Sequence, residues 1–226
     1  MLLAKDPQGV AEAVNDLHGE LINLWQVLAS RDQFEQFYRQ IECTPLAQSL
    51  FEAATEHGSP VDRAVQFFIR ARQSRQGLQR DYATPTRRTR RGMNEQVSAW
   101  LTAVAGLPQI HHRLLRVEIR NMPAIEFIGK YDHANCCFYC DPPYLHETRS
   151  TTGEYACEMS RTEHGELLDA LAGIHGKFVL SGYPSDLYAD WANRHKFHCV
   201  EIEIDNKASS AKTKQKKTEC LWMNYS

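Results

Sequence analysis

Cys136-Cys137-Phe138-Tyr139-Cys140-Asp141-Pro142-Pro143-Tyr144 is the stretch on which the fold turns. Its first five residues are apolar or aromatic and predict a buried strand, which Asp-Pro-Pro-Tyr then stops. Proline has no amide N–H and a fixed φ, so two in a row end a hydrogen-bonded ladder and lock the turns after it. The result is a rigid loop at a strand's C-terminal end, where open α/β sheets place their ligands. One carboxylate, two stiff carbonyls and one aromatic ring are presented there together.

Such a set suits attack by a poor amine nucleophile. The exocyclic amine of adenine has its lone pair delocalised into the ring. The Asp141 carboxylate and the Pro142 carbonyl would both accept hydrogen bonds from it. Those bonds pull the nitrogen towards tetrahedral geometry, aim its lone pair and stabilise the positive charge that grows on alkylation. Prolines 142 and 143 keep the acceptors preorganised. Tyr144 is placed to stack on a base swung out of a duplex.

Asp-Pro-Pro-Tyr after an aromatic strand is followed in order by Leu180-Ser181-Gly182-Tyr183 and Leu221-Trp222-Met223-Asn224-Tyr225. A Pro-Pro turn after a strand is common by itself, but this order resembles the adenine-N6 DNA methyltransferases of the Dam type (the D12 class), phage members included. The resemblance implies an α/β fold with a methyltransferase-type, Rossmann-like mixed sheet and a helical DNA-recognition insert. It also implies methyl transfer from S-adenosylmethionine to the N6 amine of adenine in double-stranded DNA, as in restriction–modification. Asp141, Pro142, Pro143 and Tyr144 would then be catalytic, with Asp141 also at the amino end of the cofactor.

At 226 residues and 42% hydrophobic content, the chain suits one large α/β domain or one domain with a helical insertion. A net charge of -2 excludes a globally basic nucleic-acid binder, so any DNA contact has to come from a local patch. No apolar run is long enough to span a membrane and no signal peptide opens the chain, which makes the cytoplasm the default location. Cys137 and Cys140 have zinc-like spacing, but no second pair matches it, so the seven cysteines read as core residues and no metal is expected.

Taken from the start, Val10–Asn15 predicts a short strand with Asp16 at its end. A helix from Leu17 to Ala29 follows. An acid at the end of such a strand can bond ribose hydroxyls, and it can equally cap the helix. The family resemblance of Asn15-Asp16-Leu17 implies that Asp16 is the cofactor carboxylate. Further helices are predicted within 31–57 and from Val61 to Ala71, then at Asn94–Val104 and Pro108–Arg116. Val117–Ile119 reads as a strand. By position, the family places Asn121 beside the cofactor's adenine; its plainer role is a helix cap.

Between Arg63 and Arg91 stand nine arginines against the single acid Asp81. Arginine suits bidentate contacts with phosphate and guanine edges. Gly77, Thr84, Pro85, Thr86 and Gly92 predict a loop over 73–92, with Arg75, Arg80, Arg87, Arg88, Arg90 and Arg91 as DNA-binding candidates. A solvated charged face is the plainer reading. The family's recognition segment lies in this part of the chain, which implies a catalytic domain of 1–60 and 117–226 with an insert at 61–116.

Residues 145–157 read as a polar connection, and Ser160-Arg161-Thr162-Glu163 as a capping box that opens a helix. Lys177–Ser181, His198–Ile204 and Thr218–Tyr225 read as strands, with a lysine-bearing linker at Lys207, Lys212, Lys214, Lys216 and Lys217. The family's Gly-rich turn after its first strand is not found, and residues 1–5 resemble the helix that follows that turn. A central strand is therefore expected to be missing. A downstream start, a decayed remnant, or a second chain supplying the strand would each account for it, and weak cofactor binding by this chain alone would follow. Two other functions stay open: a catalytically impaired DNA-binding remnant, and a methylase of RNA or of protein glutamine.

Overall fold

A computed structural model describes residues 6–149, 155–205 and 216–226. Residues 1–5, 150–153 and the lysines at 207, 212 and 214, on which some expectations fell, lie outside the described residues. The chain divides into two compact units, Met1–Met122 and Pro123–Ser226.

In the first unit, β1 (Glu12–Asn15) leads into α1 (Gly19–Ala29), α2 (Arg31–Glu42), α3 (Gln48–Ala53) and α4 (Pro60–Gln73). A hairpin of β2 (Thr89–Arg90) and β3 (Met93–Asn94) precedes the long helix α5 (Glu95–Leu114) and β4 (Val117–Arg120). Leu24, Val27, Phe37, Ile41, Val65, Phe68 and Trp100 close one hydrophobic core across α1, α2, α4 and α5. Ser59 and Asp62 cap the start of α4 reciprocally, with Pro60 at its first turn. β1 and β4 run parallel, with Glu12 opposite Val117 and Asn15 opposite Arg120. Arg113 of α5 pairs with Glu12 at 2.6 Å and ties the helix to this strand pair.

The first unit departs from the sequence expectation at three points. The helix break at Pro108 does not occur, because α5 runs through it. Trp100, Val104, Leu107, His111 and Leu114 form a continuous buried stripe, and its burial outweighs the roughly 3 kcal/mol proline penalty. Residues 73–92 are not one loop. They contain a short 3-10 turn at Arg75–Gly77 and the first strand of the hairpin, whose turn residues Arg91 (φ 55°) and Gly92 (φ 75°) are both left-handed, as a tight hairpin turn requires. Asp16 is not the cap of α1. His18 holds that position and its Nδ1 accepts the Leu21 amide at 3.1 Å.

The second unit holds a four-stranded sheet in the order β5 (Cys137–Cys140), β6 (Lys177–Gly182), β8 (Lys216–Met223), β7 (His198–Asp205). β5 and β6 are parallel; β8 runs antiparallel to both β6 and β7. Helices α6 (Ala124–Tyr131), α7 (Arg161–Ala172) and α8 (Asp186–His195) supply the apolar cover. Ile128, Leu167, Leu171, Phe178, Leu180, Trp191 and Trp222 form the core. The Ser160–Glu163 capping box forms as read from sequence. β5 is less buried than expected. Phe138 is 8% exposed and packs on Phe127, whereas Tyr139 is 45% exposed and Cys137 also faces outward. Alternation sends only every second residue into the core, and among the described residues β6 is the one strand paired with β5.

Candidate active site

The Asp-Pro-Pro-Tyr loop leaves the C-terminal end of β5, and its neighbours come from the next two strands of the sheet, β6 and β8. Asp141 is exposed, Pro142, Pro143 and Tyr144 are half-buried, and Leu145 is buried. Leu145 thus anchors the far end of the loop in the core while the carboxylate faces solvent. Ser181, fully buried on β6, sets its hydroxyl 2.8 Å from Asp141 Oδ1 and 3.2 Å from the Cys140 carbonyl. The carboxylate is therefore oriented before any substrate arrives.

Tyr144 is held more firmly than stacking alone requires. Its hydroxyl donates to Glu219 Oε1 of β8 at 2.5 Å. Its ring meets the edge of Tyr183 at a centroid distance of 4.6 Å. Burial, and then the Glu219 hydrogen bond, push the Tyr144 phenol well above its ordinary pKa. The phenol stays protonated and acts as a donor and an aromatic surface. Burial likewise pushes the Cys140 thiol up to about 12, which removes it as a nucleophile near neutral pH.

Behind the loop lies His164 of α7, fully buried. Its Nδ1 is 2.8 Å from the Tyr188 hydroxyl, its Nε2 has no hydrogen-bond partner among the described residues, and the Pro143 backbone acts on the ring in favour of its charged form. Beside the loop a cavity of about 280 Å³ is lined by Glu147, Thr148, Tyr183, Pro184, Lys217 and Thr218. Lys217 Nζ sits 5.0 Å over the Tyr183 ring. That volume is close to the lower end of ligand pockets, roughly 300–1,000 Å³.

Asp16 and Asn121 come together in the first unit, at the ends of the paired strands β1 and β4. Asn121 Nδ2 donates to the Asp16 carbonyl at 2.7 Å. Asp16 Oδ1 accepts the His18 amide at 2.7 Å, and no described residue engages its Oδ2. Asn15 exchanges hydrogen bonds with the Met122 backbone at 2.9 and 3.0 Å, which fixes the Asn121 turn against β1.

Arg75, Arg80, Arg87, Arg88, Arg90 and Arg91 are all exposed in the same unit. Arg90 and Arg91 stand at the hairpin tip, and Arg91 donates to Thr102 of α5 at 2.8 Å. Arg70 differs from these. Its guanidinium donates to the Ala54 and Gln79 carbonyls at 3.4 and 2.9 Å, so it braces the turn after α4.

Three residues of this constellation escaped the sequence reading of the site: Ser181, Glu219 and His164. Glu219 carried a usable signal, a charged residue immediately before the apolar run Cys220-Leu221-Trp222-Met223. Ser181 stood in a quoted stretch but as a strand residue. His164 carried none, because its partners are distant in sequence.

The family model of the D12 class N6 adenine-specific DNA methyltransferases matches residues 2–205 of the chain. No curated protein matches it.

Proposed function

The chain belongs to the D12 class of N6 adenine-specific DNA methyltransferases, and we propose that it transfers the methyl group of S-adenosylmethionine to adenine in duplex DNA. One observation carries the assignment of roles: the Asp141 carboxylate, oriented by Ser181 at 2.8 Å, shares a proline-stiffened loop with the anchored Tyr144 ring. Asp141 and the Pro142 carbonyl accept from the adenine amine, Pro143 keeps the loop rigid, and Tyr144 stacks on the base. Positive charge developing on N6 meets a carboxylate that needs no reorganisation.

Bound S-adenosylmethionine would supply an electrophilic methyl on a sulfonium. Residues suited to hold it are present. Asp16, with Oδ2 open and half-buried at the end of β1, fits ribose hydroxyls. Asn121 fits the rim of the adenine, and Asp141 the amino end. The exposed arginines 75, 80, 87, 88, 90 and 91 form a basic surface suited to phosphate, and we assign residues 61–116 to target recognition on that ground.

A Rossmann-like mixed sheet is the frame proposed for these elements. Among the described residues, β1 pairs with β4 alone and β5 with β6 alone, so each has an edge able to take a further strand. A cytoplasmic protein fits a DNA substrate, and no helix among the described residues is long and apolar enough to cross a membrane.

The test is transfer of tritiated methyl groups from S-adenosylmethionine to unmethylated duplex DNA, RNA and protein, assayed in parallel. Label in the N6 position of DNA adenine supports the proposal. DNA binding without label indicates an impaired remnant, and label in RNA or protein glutamine alone replaces the substrate.

A further inference from the structure

We infer that Glu219 is a positioning residue that holds the Tyr144 ring, through its hydroxyl, in the plane where the target base stacks. This deepens the adenine-methyltransferase reading and rests on it. Stacking needs only a ring, and phenylalanine would supply the same face. A half-buried tyrosine hydroxyl needs a partner, and β8 delivers a carboxylate to it at 2.5 Å.

The ring is held from two sides. Glu219 fixes the hydroxyl end, and the Tyr183 ring packs at 4.6 Å and 72°. Tyr183 is itself covered by Lys217, 5.0 Å from its centroid. A ring so fixed loses little rotational freedom when a base arrives, which is how preorganisation raises affinity.

The carboxylate does more than orient. A phenol that donates to a carboxylate becomes richer in electrons, so its face attracts a base that is turning cationic. Asp141 and Glu219 supply negative charge around the ring, and Lys217 sits over the neighbouring Tyr183 ring. The adenine would therefore acquire its positive charge against a ring already biased to receive it. Glu219 acts through Tyr144 and need not touch the base.

This predicts a dependence between the two residues, which a purely structural role for Glu219 does not. Wild type, Glu219→Gln, Tyr144→Phe and the double variant are prepared as full chains and compared by thermal melting. With tyrosine labelled at ¹³Cζ, the resonance lost in Tyr144→Phe belongs to Tyr144, and it should shift in Glu219→Gln more than any other tyrosine signal. A Tyr144 signal unmoved by Glu219→Gln overturns the inference.

The second measurement is quenching of 2-aminopurine placed unpaired in a DNA duplex. Glu219→Gln should weaken the quenching complex by roughly 10-fold, as expected for one hydrogen bond to a charged group. Tyr144→Phe should weaken it comparably, and the double variant no further. Additive losses would show that Glu219 acts elsewhere and overturn the inference. A wild-type protein that quenches no 2-aminopurine overturns the base-stacking reading of the site and this inference with it, even where the ¹³C shift confirms the hydrogen bond.

Discussion

Ser181 Oγ lies 2.8 Å from Asp141 Oδ1 and 3.2 Å from the carbonyl of Cys140, so one buried hydroxyl on β6 ties the carboxylate to the end of the neighbouring strand. The parallel pairing that sets Cys140 opposite Leu180 brings it there. An exposed carboxylate at a strand end would otherwise sample several rotamers.

Asp141→Ala should abolish methyl transfer, by ~100-fold or more, because it removes an acceptor aimed at the developing charge. The exposed side chain contributes nothing to the core, so thermal stability should be unchanged. Ser181→Ala should retain the fold and lower transfer by roughly 10-fold, the effect of losing one orienting hydrogen bond. Radiolabel transfer under single-turnover conditions measures both. A Ser181→Ala variant with wild-type rates would remove the orienting role.

The arginines make a prediction of a different kind. If Arg87, Arg88, Arg90 and Arg91 contact phosphates, replacing all four with alanine should shallow the salt dependence of DNA binding by roughly 0.9 per lost contact in the log–log slope. An arginine that reads a base should instead relax sequence preference with little change in slope. Arg91 is already braced by Thr102, so Thr102→Val should reproduce part of its loss. Slopes and preferences that stay constant would return the stretch to a solvated surface.

What could be read from sequence divides along the range of the interactions. Elements set by local chemistry were legible: the Ser160–Glu163 capping box, the strand stopped at Pro142, and the strands β7 and β8. Features set by tertiary contact were not. Pro108 sits inside a helix because Trp100, Val104, Leu107, His111 and Leu114 bury one face, which no local propensity reveals. The hairpin turn at Arg91-Gly92 lacks the Asn-Gly signal that would have announced it. In the site, Asp141 and Tyr144 stood in a contiguous motif. Their supports Ser181 and Glu219 lie 40 and 75 residues away, and only the sheet order brings them in.

Asp132 gives a prediction in acid. Burial opposes its charged form, but the amides of His175 and Gly176 and the His175 imidazole outweigh that and hold the carboxyl at about 2. The distances are 2.8–3.0 Å. A depressed carboxyl stabilises the fold fully above its unfolded value of 3.8 and loses that contribution as pH falls towards 2. Asp132→Asn should therefore lower the unfolding midpoint at pH 7 and flatten its fall between pH 4 and 2. Denaturant unfolding at a series of pH values measures both. An Asp132→Asn midpoint equal to wild type at pH 7 would show that the turn is held by other contacts.

Beside that turn, Gly176 tests packing directly. A Cβ there would collide with Cys136 Sγ and come within 2.9 and 3.0 Å of the His133 and Cys136 carbonyls. The Cys136 amide is already bonded to the His133 carbonyl at 2.9 Å, so the backbone has little room to give. Gly176→Ala should destabilise the second unit by about 1–3 kcal/mol. Cys136→Ala combined with it should recover part of the loss, because the sulfur is the nearest obstacle. Equal stability of Gly176→Ala and wild type would show that the turn opens easily.

His164 links the Asp-Pro-Pro-Tyr loop to pH. Burial lowers its pKa, and the positive charge of Arg149 adds to this, while the Pro143 carbonyl, Glu163 and Glu147 favour the charged form and only partly offset it. A histidine held neutral in the folded state takes up a proton on unfolding, so the unfolded chain binds more protons below its ordinary value of 6.5. Stability therefore rises with pH through this range and falls as pH drops below 6.5. That window is distinct from the one set by Asp132. His164→Gln keeps a side chain able to bond the Tyr188 hydroxyl but carries no titratable group. Between pH 7.5 and 5.5 the unfolding midpoint should fall less in His164→Gln than in wild type. Because the Pro143 backbone acts on the imidazole, the variant should also raise the hydrogen-exchange rate of the Tyr144 amide, whereas amides in β7 should be unaffected. Equal pH dependence in both proteins would place the acid sensitivity on another group and leave His164 as packing alone.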